Sequence, residues 1–128
     1  KLNFNHPVKE LIWTVDAGVT YTTAQLKLNG HERFTPQHLD YFTRTQVWQH
    51  HTGNGGVQKT DSLGVYSFAL KPEEHQPSGT CNFSRIDNAQ LTFSNAAGTN
   101  ATGNIRIYAV NYNVLRIMSG MGGLAYSN

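Results

Sequence analysis

The sequence has 128 residues, a formal net charge of +2, 14% charged residues and 38% hydrophobic ones. This length suffices for one domain with a buried core, and the weak charge gives no basic stripe of the kind that nucleic-acid binding requires. No apolar run reaches the roughly eighteen residues of a membrane-spanning helix. Strong helix formers are few, and Asn, Thr, Gln, Ser and Gly are abundant. The composition therefore favours an all-β protein with polar loops.

The first part of the chain predicts two strands and a hairpin. Five of the eight residues from Val8 to Val15 are apolar, which leaves few polar positions and indicates a strand that is covered on both faces. From Ala24 to Leu28, apolar and polar residues alternate, as is typical of a half-buried strand. The pair Asn29-Gly30 follows and predicts a type I′ turn, because both central residues of that turn need positive φ. Glu32 to Phe34 is then expected to be the short return strand.

A short helix is predicted directly after this hairpin, over residues 36–42. Thr35 is a suitable N-cap and Pro36 a suitable first helical residue, and Leu39 and Phe42 would form the buried face. An irregular loop is the alternative. The apolar pair at positions 47–48 predicts either another strand or side chains that fill the core from a connecting segment. The polar residues 50–61 predict a loop.

The second half of the chain predicts three further strands. Val65 to Leu70 alternates and ends at the turn signal Lys71-Pro72. Ala89, Leu91 and Phe93 share one face of a strand from Asn88 to Ser94. Ile105 to Tyr112 carries Ile105, Ile107 and Ala109 on one face. The turn-rich segment 95–104 lies between the last two strands, and we expect it to join them as a hairpin.

These elements together predict an antiparallel β-sandwich of the jelly-roll type, because the strands alternate with turns rather than with helices. Six or seven strands are predicted, whereas a complete jelly roll has eight, so we expect an incomplete sandwich with an open sheet edge. Beyond Asn113 the residues are nearly all apolar or glycine. This part predicts a strand that continues into an extended tail, in which glycines allow close backbone approach.

Candidate catalytic and metal-binding residues are few. His50 and His51 are adjacent and would face opposite ways on a strand, and no further ligand follows at a recognisable spacing, so no zinc site is expected. Cys81 is the single cysteine, which excludes an internal disulfide. A Cys81 nucleophile paired with His75 is one interpretation, and a small buried apolar residue is the commoner use of a lone cysteine. We therefore predict no enzyme, no catalytic residue and no cofactor.

Two acceptor patterns for N-glycosylation occur, at Asn82 and Asn100. The surroundings of Asn82 are apolar, so we expect it to be buried, whereas Asn100 lies in a polar segment that we expect to be an exposed loop. The aromatic residues are candidates for a sugar-binding face or, as we favour, for the core and subunit contacts: Trp13, Tyr21, Tyr41, Trp48, Tyr66, Tyr108 and Tyr112.

Four blocks of the sequence resemble one protein family. The chain contains SFALKPEEHQPSGTCNFSRIDNAQL from Ser67 to Leu91 and YAVNYNVLRIMSGMGGLAYSN from Tyr108 to Asn128. It also contains FNHPVKELIW from Phe4 to Trp13 and LKLNGHERF from Leu26 to Phe34. These blocks resemble the double jelly-roll major capsid proteins of nucleocytoplasmic large DNA viruses, which include the chlorella-virus, iridovirus and mimivirus-like capsid proteins. The blocks occur in the order that the family has and span nearly the whole chain.

This resemblance implies a structural role. It implies that residues 1–128 are the C-terminal portion of a second jelly roll, with the first jelly roll and the first strands of the second upstream. It further implies a homotrimer that forms a pseudo-hexagonal capsomer, contacts with neighbouring capsomers and minor capsid proteins, and an icosahedral virion that is assembled in the host cytoplasm. The alternative function is a carbohydrate-binding jelly-roll module of the lectin type.

Overall fold

The computed structural model describes residues 1–15, 21–52, 63–94 and 104–125. These residues form two antiparallel sheets, a short helical segment and a separate hairpin. Several predicted features lie outside the described residues: most of the loops 50–61 and 95–104, and the glycosylation acceptor Asn100. The antiparallel sheets confirm the all-β prediction.

The first sheet is built around β1 (Pro7–Val15). The strand β8 (Ile105–Asn111) pairs with β1 along almost its whole length, from Val8↔Asn111 to Val15↔Ile105. The opposite edge of β1 is shared by β5 (Gly64–Ser67) and β6 (Cys81–Asn82). A central strand with partners on both edges has its backbone groups paired on both sides, which suits its apolar sequence.

The second sheet repeats this arrangement around β2 (Thr23–Leu28). The strand β7 (Ala89–Ser94) pairs with all of β2, and β3 (His31–Glu32) and β4 (Gln37–His38) share the other edge. The turn between β2 and β3 has Asn29 at φ 52° and Gly30 at φ 81°. These values confirm the predicted primed turn, because both central residues have positive φ.

The predicted hairpin of β7 and β8 is wrong. Both strands exist nearly as predicted, but β7 pairs with β2 in the second sheet and β8 pairs with β1 in the first. The sequence shows two amphipathic strands separated by turn residues, and this pattern is the same whether the chain folds back on itself or crosses to the facing sheet. The crossing between sheets is what places the apolar faces of both strands in one core.

The helical segment begins three residues later than predicted. Residues 37–38 form β4, so their backbone is engaged by β2, and helical residues run from Leu39 to His50. This segment includes a π-helical stretch, Tyr41–Thr45, followed by helix α1 (Gln46–His50). Leu39 and Phe42 are buried, as predicted for the inward face. The pair at 47–48 belongs to α1 and does not form a strand or plug the core, since the side chain of Trp48 is 79% exposed.

The helical segment also protects a sheet edge. The strand β5 lies at the outside of the first sheet, where an unpaired backbone would be a template for association. The Ser67 N–H at its end donates to the side-chain oxygen of Gln46, at 3.1 Å, and the Gln46 amide donates to the Tyr41 hydroxyl at 2.7 Å. Gln46 is buried, so its polar atoms are satisfied by these contacts rather than by bulk water.

A bulge in β1 directs its apolar residues to the core. The register with β8 shifts between Val8 and Glu10, so Val8 and Leu11 both enter the core although they are three residues apart. Trp13 lies two residues further on the same face and is 1% exposed. The sequence indicated burial of this strand but gave no signal of the bulge.

The indole of Trp13 fills the space above a glycine in the neighbouring strand. Gly64 pairs directly with Trp13, and a Cβ built on Gly64 would lie 2.1 Å from the indole Nε1. The indole cannot easily move away, because its N–H donates to the buried Tyr21 hydroxyl at 3.0 Å. Burial raises the pKa of the Tyr21 hydroxyl, and the Trp13 hydrogen bond opposes this rise. Tyr21 therefore stays protonated over the physiological range.

We expect Gly64→Ala to destabilise the protein by about 1–3 kcal/mol, since an added methyl overpacks the core at the indole. Denaturant unfolding of the full-length protein measures the change. Gln90→Ala is the control, because Gln90 is exposed on β7 and its side chain lies outside the core. Equal unfolding midpoints for the two variants would contradict the close packing of Trp13 on Gly64.

We expect Gly30→Val to destabilise the hairpin between β2 and β3 by about 1–3 kcal/mol, because a β-branched residue resists the positive φ of this turn. A Cβ at Gly30 meets nothing within 4 Å, so backbone strain is the whole effect. Gly30→Asn is the control, since Asn tolerates the left-handed region. Thermal unfolding of both variants tests this, and an unchanged midpoint for Gly30→Val would contradict it.

Candidate interaction surface

The last described residues form a hairpin that belongs to neither sheet. The strands β9 (Leu115–Met118) and β10 (Met121–Leu124) pair only with each other among the described residues. The turn between them has Ser119 at φ 52° and Gly120 at φ 77°, as in a primed two-residue turn. The predicted extended tail is therefore a hairpin, and one of its three glycines supplies the turn.

Both faces of this hairpin are apolar. Leu115 lies opposite Leu124 and Ile117 opposite Gly122 on one face. Met118 lies opposite Met121 and Arg116 opposite Gly123 on the other. The large side chains are between 59% and 75% exposed. The set consists of Leu115, Ile117, Met118, Met121 and Leu124, which we call the apolar ribbon.

The apolar ribbon has few contacts with the other residues that the structure describes. Its base is closed by the Ala125 N–H, which donates to the Val114 carbonyl at 2.7 Å, and the backbone returns to the first sheet at Tyr112, whose N–H donates to the Pro7 carbonyl at 3.0 Å. An isolated two-stranded hairpin is only marginally stable in water. A contiguous exposed apolar patch marks a contact surface. The ribbon therefore has the properties of a surface that another polypeptide segment covers.

A second notable group lies at the end of helix α1. The buried carboxylate of Glu10 on β1 is 2.5 Å from the His51 ring, and the other ring nitrogen of His51 is 3.0 Å from Glu73. Burial lowers the pKa of His51, but the hydrogen bonds and charges of both glutamates outweigh this and raise the pKa. These groups form an ion bridge. Among the described residues, no cluster of three or more His, Cys, Asp or Glu has a geometry that fits a metal ion.

The structure does not pair Cys81 with His75. Cys81 lies in β6, half-buried beside the core, and no hydrogen bond to its Sγ is seen among the described residues. Burial raises the pKa of the Cys81 thiol, and the charge of Arg33 opposes this rise. A thiol with a raised pKa is a poor nucleophile at neutral pH. Cys81 therefore has the environment of a packing residue.

The expectation that Asn82 is buried is wrong. Asn82 is exposed at the end of β6, where its side-chain oxygen accepts the Ser84 N–H at 3.1 Å and caps a short 3₁₀ helix, Phe83–Arg85. The Ser84 hydroxyl accepts the His6 N–H at 3.0 Å. The apolar neighbour Phe83 misled the sequence interpretation, because Phe83 turns into the core while Asn82 turns outwards.

The aromatic residues lie mostly inside the sandwich. Trp13, Tyr21 and Tyr66 are buried, and Tyr41 packs edge-on against Phe42 with ring centroids 5.1 Å apart. Within the described ranges, the exposed aromatic side chains are Trp48 and, at 55%, Tyr108. This distribution agrees with the favoured interpretation that most of them serve the core.

No helix within the described part of the chain has the length and apolar character that crossing a bilayer requires. The exposed side chains of the helical residues from Leu39 to His50 are Arg44, Thr45, Gln49 and one apolar residue, Trp48.

Comparison with known sequences identifies the family. Residues 16–123 match the sequence profile of the large eukaryotic DNA virus major capsid protein. The chain is 52% identical to the major capsid protein of Pyramimonas orientalis virus over 100% of this chain and 38% of that protein. It is 62% identical to the major capsid protein of Chrysochromulina ericina virus, over 83% of this chain and 18% of that protein.

Comparison with solved structures gives the same result. The chain superimposes on a subunit in the quasi-atomic model of the PBCV-1 virus capsid with a TM-score of 0.82 and 36% sequence identity, over 99% of this chain and 45% of that one. The chain thus spans less than half the length of these relatives. Capsid proteins of this family are structural proteins and not enzymes, as the sequence predicted. The chain belongs to the major capsid proteins of large eukaryotic DNA viruses, and its sandwich is the jelly-roll type found in the PBCV-1 capsid.

Proposed function

We propose that this chain is the C-terminal portion of the second jelly roll of a subunit that forms trimers. Three such subunits would make one pseudo-hexagonal capsomer, and capsomers would tile an icosahedral shell. The observation that carries this proposal is the apolar ribbon, which is exposed on both faces and lies outside the two sheets. In a shell made of many copies of one protein, a second copy is the partner present at the highest concentration.

The physical basis of assembly would be burial of apolar area between subunits. Fully burying one large aliphatic side chain stabilises a contact by about 1.5–3 kcal/mol, and the ribbon offers five such side chains. Polar loops at the rim would then face outwards or contact neighbouring capsomers and minor capsid proteins. Assembly would take place in the host cytoplasm, and the product would be the virion shell.

We also propose Asn100 and Asn82 as the candidate glycan acceptors of the mature virion. Asn82 is exposed, so its surroundings permit a glycan, but its side-chain oxygen is engaged with the Ser84 N–H. Mass spectrometry of peptides from purified virions tests both positions.

We expect Ile117→Asp in the full-length protein to weaken the trimer by about tenfold to a hundredfold, because the variant removes one apolar contact and places a charge in the interface. Ile117 is 71% exposed in this chain, so the substitution should not disturb the sandwich itself. Sedimentation velocity over a concentration series measures the dissociation constant.

Leu70→Asp is the matched control for Ile117→Asp, since Leu70 is 74% exposed and lies far along the chain from the ribbon. A trimer that Ile117→Asp weakens no more than Leu70→Asp does would show that the ribbon is not the contact. A wild-type protein that remains monomeric at high concentration would contradict the proposed trimer itself.

We expect residues 1–128, expressed alone, not to give a stable monomer. The ribbon would be exposed to water, and the chain spans 45% of its solved relative. Net stabilities of domains are only about 5–15 kcal/mol, so the loss of covering contacts is a large fraction of the total. Sedimentation and amide exchange test this. A monodisperse monomer that unfolds cooperatively and protects the amides of residues 115–124 would contradict it.

A further inference from the structure

A buried carboxylate on the central strand of the first sheet has no part in the apolar core. Glu10 is 4% exposed, yet it follows Lys9 and precedes the core residue Leu11. Because successive side chains on a strand point to opposite faces, Glu10 points away from the core that Leu11 enters. A buried carboxylate needs a partner of opposite charge or a full set of hydrogen bonds. The partner here is His51.

His51 joins three segments that are distant in sequence. It follows the last residue of α1, its Nε2 is 2.5 Å from Glu10 Oε2 on β1, and its Nδ1 is 3.0 Å from Glu73 Oε1 in the turn after β5. The same Glu73 oxygen accepts the Thr52 N–H at 2.9 Å. The imidazole therefore holds the end of α1 and the turn at residues 71–74 against the sheet.

This arrangement requires a specific protonation state. A neutral imidazole donates one hydrogen bond, and its other nitrogen is an acceptor. Both ring nitrogens of His51 face carboxylate oxygens, which accept but do not donate when ionised. With a neutral ring, the lone pair of one ring nitrogen would face an ionised carboxylate, and that contact would lack a proton. Both contacts of the bridge are therefore hydrogen bonds only when the ring carries both protons.

The other charged groups described around the bridge do not take the place of His51 as the cation that faces Glu10. His50 contacts the Leu70 carbonyl through its Nδ1 at 3.1 Å, and Lys71 pairs with Glu74 at 3.8 Å on the surface. These residues line an open recess of about 260 Å³ together with His51 and Glu73, whereas Glu10 is not part of its wall. The ammonium of Lys71 is engaged with Glu74, so the imidazolium is the cation that faces Glu10 within the described part of this site.

We propose that Glu10, His51 and Glu73 form a pH-dependent clasp that fastens the end of helix α1 and the 71–74 turn to the first sheet, and that the clasp is closed when the His51 ring is doubly protonated. The clasp also sets the position of exposed Trp48, because Trp48 lies on α1 three residues before His51. This inference is independent of the proposed trimer.

The pH range in which the clasp is closed follows from the directions in which the pKa values of His51 and Glu73 are shifted. The pKa of His51 is raised above 6.5, so its contribution to stability is complete below pH 6.5 and is lost as the pH rises through the raised value. The pKa of Glu73 is lowered from 4.5, chiefly by the Thr52 N–H and by His51, so its contribution is complete above pH 4.5 and is lost on acidification through the lowered value. The clasp is therefore tightest between pH 4.5 and 6.5.

Amide exchange of the full-length protein tests the clasp directly. Exchange rates of peptides that cover residues 46–52 and 69–74 are measured between about pH 5 and about pH 8 and corrected for the intrinsic rate at each pH. We expect the protection of both peptides to fall together as the pH rises. His51→Gln should lose this pH dependence, because the Gln amide does not titrate. His38→Gln should keep it, since His38 is exposed and contacts Asp40.

A second variant keeps the test decisive if His51→Gln does not fold. Glu73→Gln changes a carboxylate that is 40% exposed, leaves the contact of Glu10 with His51 and removes one of the two charges that favour the protonated ring. We expect its protection to fall at a lower pH than that of the wild type. Protection in the wild type that stays constant across this range, or a fall at the same pH in Glu73→Gln as in the wild type, would overturn the proposal.

Discussion

The packing of Trp13 is the interaction on which the sandwich depends. Its ring lies 5.2 Å from that of Phe42 in the helical segment and 5.9 Å from that of Phe93 in the second sheet. Its N–H donates to Tyr21, and its flat face covers Gly64 in the neighbouring strand. One side chain thus contacts both sheets and the helical segment. Large aromatic residues dominate core energetics because they bury the most area.

Local sequence patterns predicted the elements of this core but not their arrangement. The strands at β1, β2, β7 and β8 and the primed turn at Asn29 each depend on residues within a few positions, and the structure confirms them. The pairing of β7 and β8 with different sheets depends on contacts across most of the chain, and periodicity carries no information about it. The helical segment begins three residues after the predicted start because Gln37 and His38 form strand contacts with β2, which outweigh the capping signal of Thr35.

The burial and the partners of the key polar residues could not be predicted from the sequence. Gln46 occurs in a polar segment, yet it is buried and satisfies the edge of β5. Glu10 interrupts an apolar strand, and its partner His51 is 41 residues away in sequence. Buried polar groups need partners, but sequence alone does not say which residue the fold brings near. The adjacent histidines at 50 and 51 invited a metal interpretation, and the structure gives them separate polar contacts instead.

The apolar ribbon accounts for the apolar sequence at the end of the chain, which predicted a strand with an extended tail where the structure has a hairpin. A strand with one buried face alternates, whereas the residues from Leu115 to Leu124 are apolar on both faces apart from Arg116, Ser119 and the glycines. Such a pattern is typical of a strand that is covered on both sides. Nothing else in the described residues covers it, although the chain belongs to a capsid family whose members are more than twice its length. The ribbon's sequence therefore indicates a surface that is covered by residues other than the described ones, and this is the basis of the proposed subunit contact.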